Sequence, residues 1–160
     1  MKVVSDTGPL IALAKLDLLP LFARLFGEVC IPPAVQSELF AKRGPEAPRL
    51  EEALRGGIYV VAEFTLPEAV ERLTHGLGAG EQHAIGLARH LQTTLIIDER
   101  SGRFAAKQLE VDIIGTVGIL LQAKQGGLIE SVGVALDQIR RGGYWISDSL
   151  VEEATNLAGE

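Results

Sequence analysis

Apolar residues along this chain fall into two alternating patterns. Short β-branched runs bounded by glycine, proline or an acid read as strands: Val3 to Ser5, EVCIP (28–32), IYVVAE (58–63), TTLIID (93–98) and VDIIG (111–115). They are short and apolar, as suits strands covered on both faces. Between them, apolar positions recur three and four residues apart, the helical period. The first helix begins around Pro9, where a missing N–H is no loss, with Thr7 or Gly8 as cap, and runs to about Lys15. LDLLPLFARLFG follows and stops at Gly27. Pro33 opens PAVQSELFAK, and after the loop RGPEAP (43–48) comes the charged helix RLEEALRGG. Pro67 opens PEAVERLT, and the glycine-rich turn HGLGAG leads into EQHAIGLARHL. SGRFAAKQL follows the fourth strand, and Thr116 is placed to cap the helix after the fifth. Two more helices cover roughly 128–140 and 149–158, the latter with Ser149 and Glu152 in capping-box spacing.

Strands that alternate with helices imply a parallel sheet with helices on both faces. With no internal repeat, low-complexity tract or long linker, residues 1–160 are expected to form one α/β domain. A chain of 160 residues buries roughly two-thirds of its unfolded surface. Its 47% hydrophobic and 22% charged residues are those of a folded protein. The net charge of −6 argues against a broad basic face for nucleic acid, while leaving room for a short basic rim around an acidic pocket. Cys30 is the one cysteine, so no internal disulfide can form, and a reducing cytoplasm is the expected compartment. In EVCIP it reads as a small buried hydrophobe. No segment offers the ~18 uninterrupted apolar residues of a membrane span, and the first residues lack the pattern of a signal peptide. No membrane association is expected.

The chemistry lies in the acids. In an open α/β sheet, ligands sit beyond the carboxyl ends of the strands, where strand order reverses. Asp6 closes the first strand and Asp98 the fourth, with Glu99 beside it. Asp6 alone reads equally well as a helix cap; the pair points to a site. Glu38 shares a helix face with Ala34, Val35 and Leu39, at the edge of the apolar stripe. Glu81 opens its helix and shares a face with Ala84, Ile85 and Ala88. A glutamate leaning inward is costly unless paired or bound to a cation, although the helix N-terminus compensates Glu81 in part. Glu51, Glu52, Glu68, Glu71, Glu152 and Glu153 read as solvated helix faces. Several carboxylates brought together need a counter-charge, and a hard divalent cation such as Mg²⁺ or Mn²⁺ supplies one through oxygen ligands. Such an ion can lower the pKa of its water and steady charge on a phosphate oxygen, the logic of metal-dependent phosphodiester hydrolysis.

Other features carry less. His83 and His90 share a helix face, yet His83 sits about 200° round the helix from Glu81, so His75, His83 and His90 read as exposed helix residues. Ser5 lacks the G-x-S-x-G elbow of a hydrolase nucleophile. HGLGAG lacks the Lys-Ser/Thr ending and preceding strand of a phosphate loop. Arg100, Arg103 and Lys107 follow the fourth strand at spacings of three and four, with Lys15 and Lys124 as further candidates. They read either as a solvated face or as contacts to an RNA backbone.

VVSDTGPLIAL, IPPAVQSEL, GAGEQHAIGLA, LIIDERSGR, VDIIGTVGILLQAKQGGLI and the closing GGYWISDSLVEEA occur in the order seen in PIN-domain proteins. Over nearly its whole length the chain resembles the PIN-like nucleic-acid-binding proteins related to VapC toxins. That resemblance implies a three-layer α/β/α sandwich around a five-stranded parallel sheet of order 3-2-1-4-5. It also implies a Mg²⁺- or Mn²⁺-dependent ribonuclease whose acids are Asp6, Glu38, Glu81 and a fourth at Asp98 or Glu99. The strand parity of Ile96 favours Asp98, whereas toxin spacing counted from Glu81 falls on Glu99. Where the toxin pattern has Thr or Ser before the fourth acid, this chain has Ile97. Thr7 is a candidate to hold Asp6, or a water on the metal, through its hydroxyl. Partners implied are RNA, a cognate antitoxin and a second copy of the chain. The early helices (Leu18, Leu19, Leu21, Phe22, Leu25 and Phe26) could supply a dimer surface or equally be core. A non-catalytic module that keeps the fold and uses its acidic pocket for recognition is the alternative.

Overall fold

A computed structural model describes residues 2–160. Five strands, β1 (Lys2–Ser5), β2 (Glu28–Ile31), β3 (Tyr59–Val61), β4 (Leu95–Ile96) and β5 (Ile113–Ile114), form one sheet of order β3-β2-β1-β4-β5. Every pairing is parallel: Val3 faces Val29, Val29 faces Tyr59, Val4 faces Leu95 and Leu95 faces Ile113. Helices α1 (Thr7–Lys15), α2 (Pro20–Phe26), α3 (Pro33–Ala41), α4 (Ala47–Arg55), α5 (Glu68–Leu73), α6 (Ala79–Leu91), α7 (Arg100–Gln108), α8 (Thr116–Gln125), α9 (Val132–Arg141) and α10 (Asp148–Leu157) complete the chain. They flank the sheet to give the α/β/α sandwich expected from the sequence. Among the described residues no helix is long and apolar enough to cross a membrane.

The sheet interior is dry because both of its faces are apolar. Val3, Val4, Val29, Ile31, Leu95 and Ile96 are fully buried. Helix α6 packs on β1 and β4 and against α3, through Ala84, Ile85 and Ala88, which are also fully buried. That packing holds the N-terminus of α6 over the switch between β1 and β4, the place the site needs.

The elements depart from the sequence reading at their ends. TTLIID and VDIIG contribute only two residues each to the labelled strands. Single backbone bonds, Val4 N–H to Thr94 O and Ile97 N–H to Ile114 O, extend the ladder on either side. LDLLPLFARLFG is helical only from Pro20, because Asp17 takes a left-handed conformation (φ 56°) and Pro20 then sets a new start. Helix α1 starts at Thr7 with Asp6, rather than Thr7 or Gly8, in the N-cap position. Thr116 is the first residue of α8, preceded by Gly115 as cap, and Ser147, rather than Ser149, caps α10 by accepting from Leu150 N–H. Leu19, Leu21, Phe22 and Phe26 are buried, and Leu18 and Leu25 pack on the core. These early apolar residues therefore belong mainly to the core, with Leu18 and Leu25 partly exposed.

Candidate functional site

The carboxyl ends of β1 and β4 open into a cavity of about 910 Å³. Asp6, Glu38, Glu81, Asp98 and Glu99 all line it, together with Arg100 and Arg103. The acids that the sequence singled out, separated by up to ninety-odd positions, thus meet in one place. Each arrives by a different route. Asp6 follows the last residue of β1, Glu38 projects from α3, Glu81 lies in the first turn of α6, and Asp98 and Glu99 bridge β4 to α7.

Asp6 is only 6% exposed, and its Oδ1 is buried without a hydrogen-bond partner. It occupies a helix N-cap position, yet its side chain caps nothing. Burial pushes its pKa up to about 7; the backbone N–H of Thr7 opposes the rise, while the charges of Glu81, Glu38 and Asp98 reinforce it. Glu81 is in the same position to a lesser degree. Its Oε2 is buried and unpartnered, and burial, opposed by the Gly78 N–H 3.4 Å from its Oε1 and aided by Glu99 and Glu38, raises its pKa. Two carboxylates thus face the cavity with oxygens that the protein leaves unsatisfied.

Glu38 and Asp98 are instead held by the protein. Glu38 accepts from the Thr7 hydroxyl at 2.7 Å and from the Gly80 N–H at 2.9 Å. Thr7 therefore holds Glu38 rather than Asp6, a partner 31 residues away that local sequence does not reveal. Glu38 is also more exposed than the apolar stripe on α3 suggested. Asp98 accepts from the Thr116 N–H (2.7 Å), the Thr116 hydroxyl (2.6 Å) and the Tyr144 hydroxyl. Burial and the Asp98 charge push the Tyr144 phenol far above its ordinary range, so it remains a proton donor. Glu99 is exposed on the cavity rim.

Three glycines make this convergence possible. A Cβ on Gly80 would lie 2.3 Å from Glu38 Oε2, one on Gly102 would lie 2.7 Å from Glu81 Oε2, and one on Gly115 would lie 2.8 Å from Asp98 Oδ1. At Gly80 every close neighbour is the tip of Glu38, whereas at Gly102 Ile97 Cδ1 (2.6 Å) and at Gly115 Arg103 Nη1 (2.8 Å) are met as closely as the acid. A side chain at these positions would displace side-chain tips, a carboxylate among them, before it disturbed the backbone. Their role, like those of Thr116, Tyr144 and Trp145, escaped the sequence reading. The motifs GAGE, SGR, IIGT and GGYW held the signal, but only the fold pairs each with its acid.

The basic residues divide. Arg100 is exposed on the cavity rim with no ion pair among the described residues. Arg103 also lines the cavity, but its Nη1 donates to the Ile97 carbonyl at 2.9 Å, tying α7 to the end of β4. Lys107 is exposed on α7 and lies outside the cavity wall. Lys15 and Lys124 do not join the stripe, since they pair with Glu46 (3.5 Å) and Glu160 (2.8 Å). Of the histidines, His90 is exposed as expected. His83 is half-buried instead, edge-on to Phe64 with its Nδ1 unpartnered.

Among the described residues no three acidic, histidine or cysteine side chains stand close enough to form a ready-made ligand set. The donor set nevertheless suits a hard cation: all oxygen, with one buried oxygen on each of Asp6 and Glu81 still to be satisfied. No curated protein matches the chain. A family model described as PIN domain matches residues 2–160. With its 3-2-1-4-5 sheet and acids gathered at the β1/β4 switch, the chain belongs to the PIN domain family.

Proposed function

We propose that this chain is a metal-dependent endoribonuclease, the toxin of a toxin–antitoxin pair. PIN domains are generally nucleases that use divalent metals. The observation that carries the reading is the pair of buried, unpartnered oxygens on Asp6 and Glu81, facing a cavity shared with Glu38, Asp98 and Glu99. Asp6, Glu81 and Asp98 would hold Mg²⁺ or Mn²⁺, with Glu38 and Glu99 at its edges. When bound, the ion supplies counter-charge to the acids, acidifies water and steadies charge on a phosphate oxygen.

The remaining work falls to the chain itself. Thr7 and the Gly80 N–H orient Glu38, and Thr116 and Tyr144 orient Asp98. Supporting hydrogen bonds of this kind fix the direction of each lone pair. Arg100 provides an exposed cation at the rim for the phosphate backbone, with Arg103 and Lys107 further along α7. RNA, a cognate antitoxin, a second copy of the chain and a cytoplasmic setting complete the proposal.

The test is cleavage of RNA with Mg²⁺ or Mn²⁺ by the native chain and by Asp6→Asn. Metal-dependent cleavage by the former and its loss in the latter are expected; equal activity would sink the assignment. One observation favours a second reading, a PIN module that binds without cutting. Glu38 and Asp98 already have two and three protein donors, and among the described residues no three such side chains stand close enough to form a ready-made ligand set. Calorimetric titration separates the two, since absence of binding at millimolar Mg²⁺ and Mn²⁺ would favour the non-catalytic module.

A further inference from the structure

Trp145 is the chain's one tryptophan, and it is 83% exposed. A single exposed apolar side chain is ordinary on a protein surface; this one stands out because it lines the cavity that holds the acids. Both chain neighbours are fixed. The Tyr144 hydroxyl is bound to Asp98, its backbone N–H donates to the Ile139 carbonyl at 3.1 Å, and Ile146 is buried at 6% exposure. The backbone carrying the indole is thus pinned to the acid cluster, while the ring itself stands on the cavity rim. Arg100, exposed and without an ion pair among the described residues, lines the same cavity with the acids, as does Leu150 at 40% exposure.

We infer that Trp145 is a stacking platform for one unpaired base of a single-stranded RNA whose backbone passes Arg100 to reach the acids. The inference rests on the nuclease reading and adds a base-contacting residue to it. An indole offers a π-face to any base, so the contact tolerates sequence, and it needs a base free of its own helix. A duplex keeps its bases stacked inside and presents none. Arg100 supplies the charge complementarity that distinguishes this occupant from an apolar peptide, because the phosphate beside a stacked base is an anion and the rim cation has no ion pair among the described residues.

The single tryptophan makes the test direct, because all indole fluorescence reports on this position. The intact protein, with Ca²⁺ in place of Mg²⁺ to slow cutting, is titrated with a short fluorophore-labelled oligouridine. Binding is read by anisotropy, and quenching of the indole is read with the unlabelled strand. Quenching by the single strand is expected, with little by the same length of duplex or by an abasic sugar-phosphate chain. Trp145→Ala should weaken binding by about five- to a hundredfold, from the usual range for a base–aromatic stack, and Trp145→Phe should restore most of it. Because the side chain is exposed, circular dichroism of Trp145→Ala should match the native chain. Equal affinity of Trp145→Ala and the native chain, or equal binding of the abasic strand, would overturn the stacking role while leaving the nuclease reading intact. If neither protein binds oligonucleotide and neither cleaves RNA, both readings fail together. An indole that responds to an amphipathic peptide and to no oligonucleotide would assign the surface to a protein partner and overturn the inference.

Discussion

Replacing Asp6 by asparagine should make the metal-free protein more stable at neutral and alkaline pH. The carboxyl group is 6% exposed, and its pKa rises from the ordinary 3.8 to about 7. At about 1.4 kcal/mol per factor of ten, that separation sets the cost of holding Asp6 charged in the folded chain at about 4 kcal/mol, an upper bound that asparagine would recover in part. The sign follows from proton counting. Between 3.8 and 7 the folded chain keeps a proton that the unfolded chain has lost, so stability falls as pH rises. Below 3.8 both states are protonated and the cost vanishes; above 7 both are charged and it applies in full. Urea unfolding in EDTA at pH 4, 6 and 8 measures this. Native stability should drop across that range, more steeply than in Asp6→Asn, and the variant should gain on the order of 10 °C in Tm at pH 8. Glu81, raised for the same main reason, leaves a smaller slope in the variant. Added Mg²⁺ should restore native stability at pH 8 and leave Asp6→Asn little changed. Parallel curves for the two proteins in EDTA would refute the reasoning, because Asp6 would then carry no burden.

Three further outcomes follow from named contacts. Gly80→Ala drives a Cβ toward Glu38 Oε2, so RNA cleavage should fall at least tenfold while Tm shifts by no more than a few degrees, as the displaced atom is the tip of a flexible side chain. Tyr144→Phe removes one of three donors to Asp98; metal affinity by calorimetry, or cleavage rate, should drop about 10- to 100-fold, the usual cost of losing such support. Tyr59→Phe leaves the buried Leu50 carbonyl without the phenol that donates to it at 2.8 Å, and urea unfolding should show a loss of about 1 kcal/mol with cleavage unchanged.

The sheet was legible because its signal is local. Runs such as VVS and EVCI are apolar, β-branched and bounded by helix starts, and nothing in the tertiary structure contradicts them. Asp6 and Asp98 were legible as acids at strand ends, where an α/β sheet binds its ligands; that their strands are neighbours came from the 3-2-1-4-5 order implied by the PIN resemblance, not from position alone. Strand lengths were not legible. TTLIID has the composition of a longer strand, but β5 pairs with only its two middle residues. The partners of the acids were hidden for the same physical reason. Thr116 looks like a helix cap in any local window, and only the approach of β4 turns its hydroxyl toward Asp98. Tyr144 lies 46 residues from the acid it holds. Lys15 and Lys124 are candidates for a basic rim until Glu46 and Glu160 take them up. Gly80 reads as part of the glycine-rich turn HGLGAG; in the fold it leaves room beside the Glu38 carboxylate.

The central claim is a divalent cation held by these acids, and a crystal soaked in Mn²⁺ tests it most directly. Anomalous scattering should place an ion within coordinating distance, about 2.0–2.4 Å, of Asp6 and Glu81, and the same map decides between Asp98 and Glu99 as the further ligand. A map with no anomalous peak in the cavity at millimolar Mn²⁺ would contradict it.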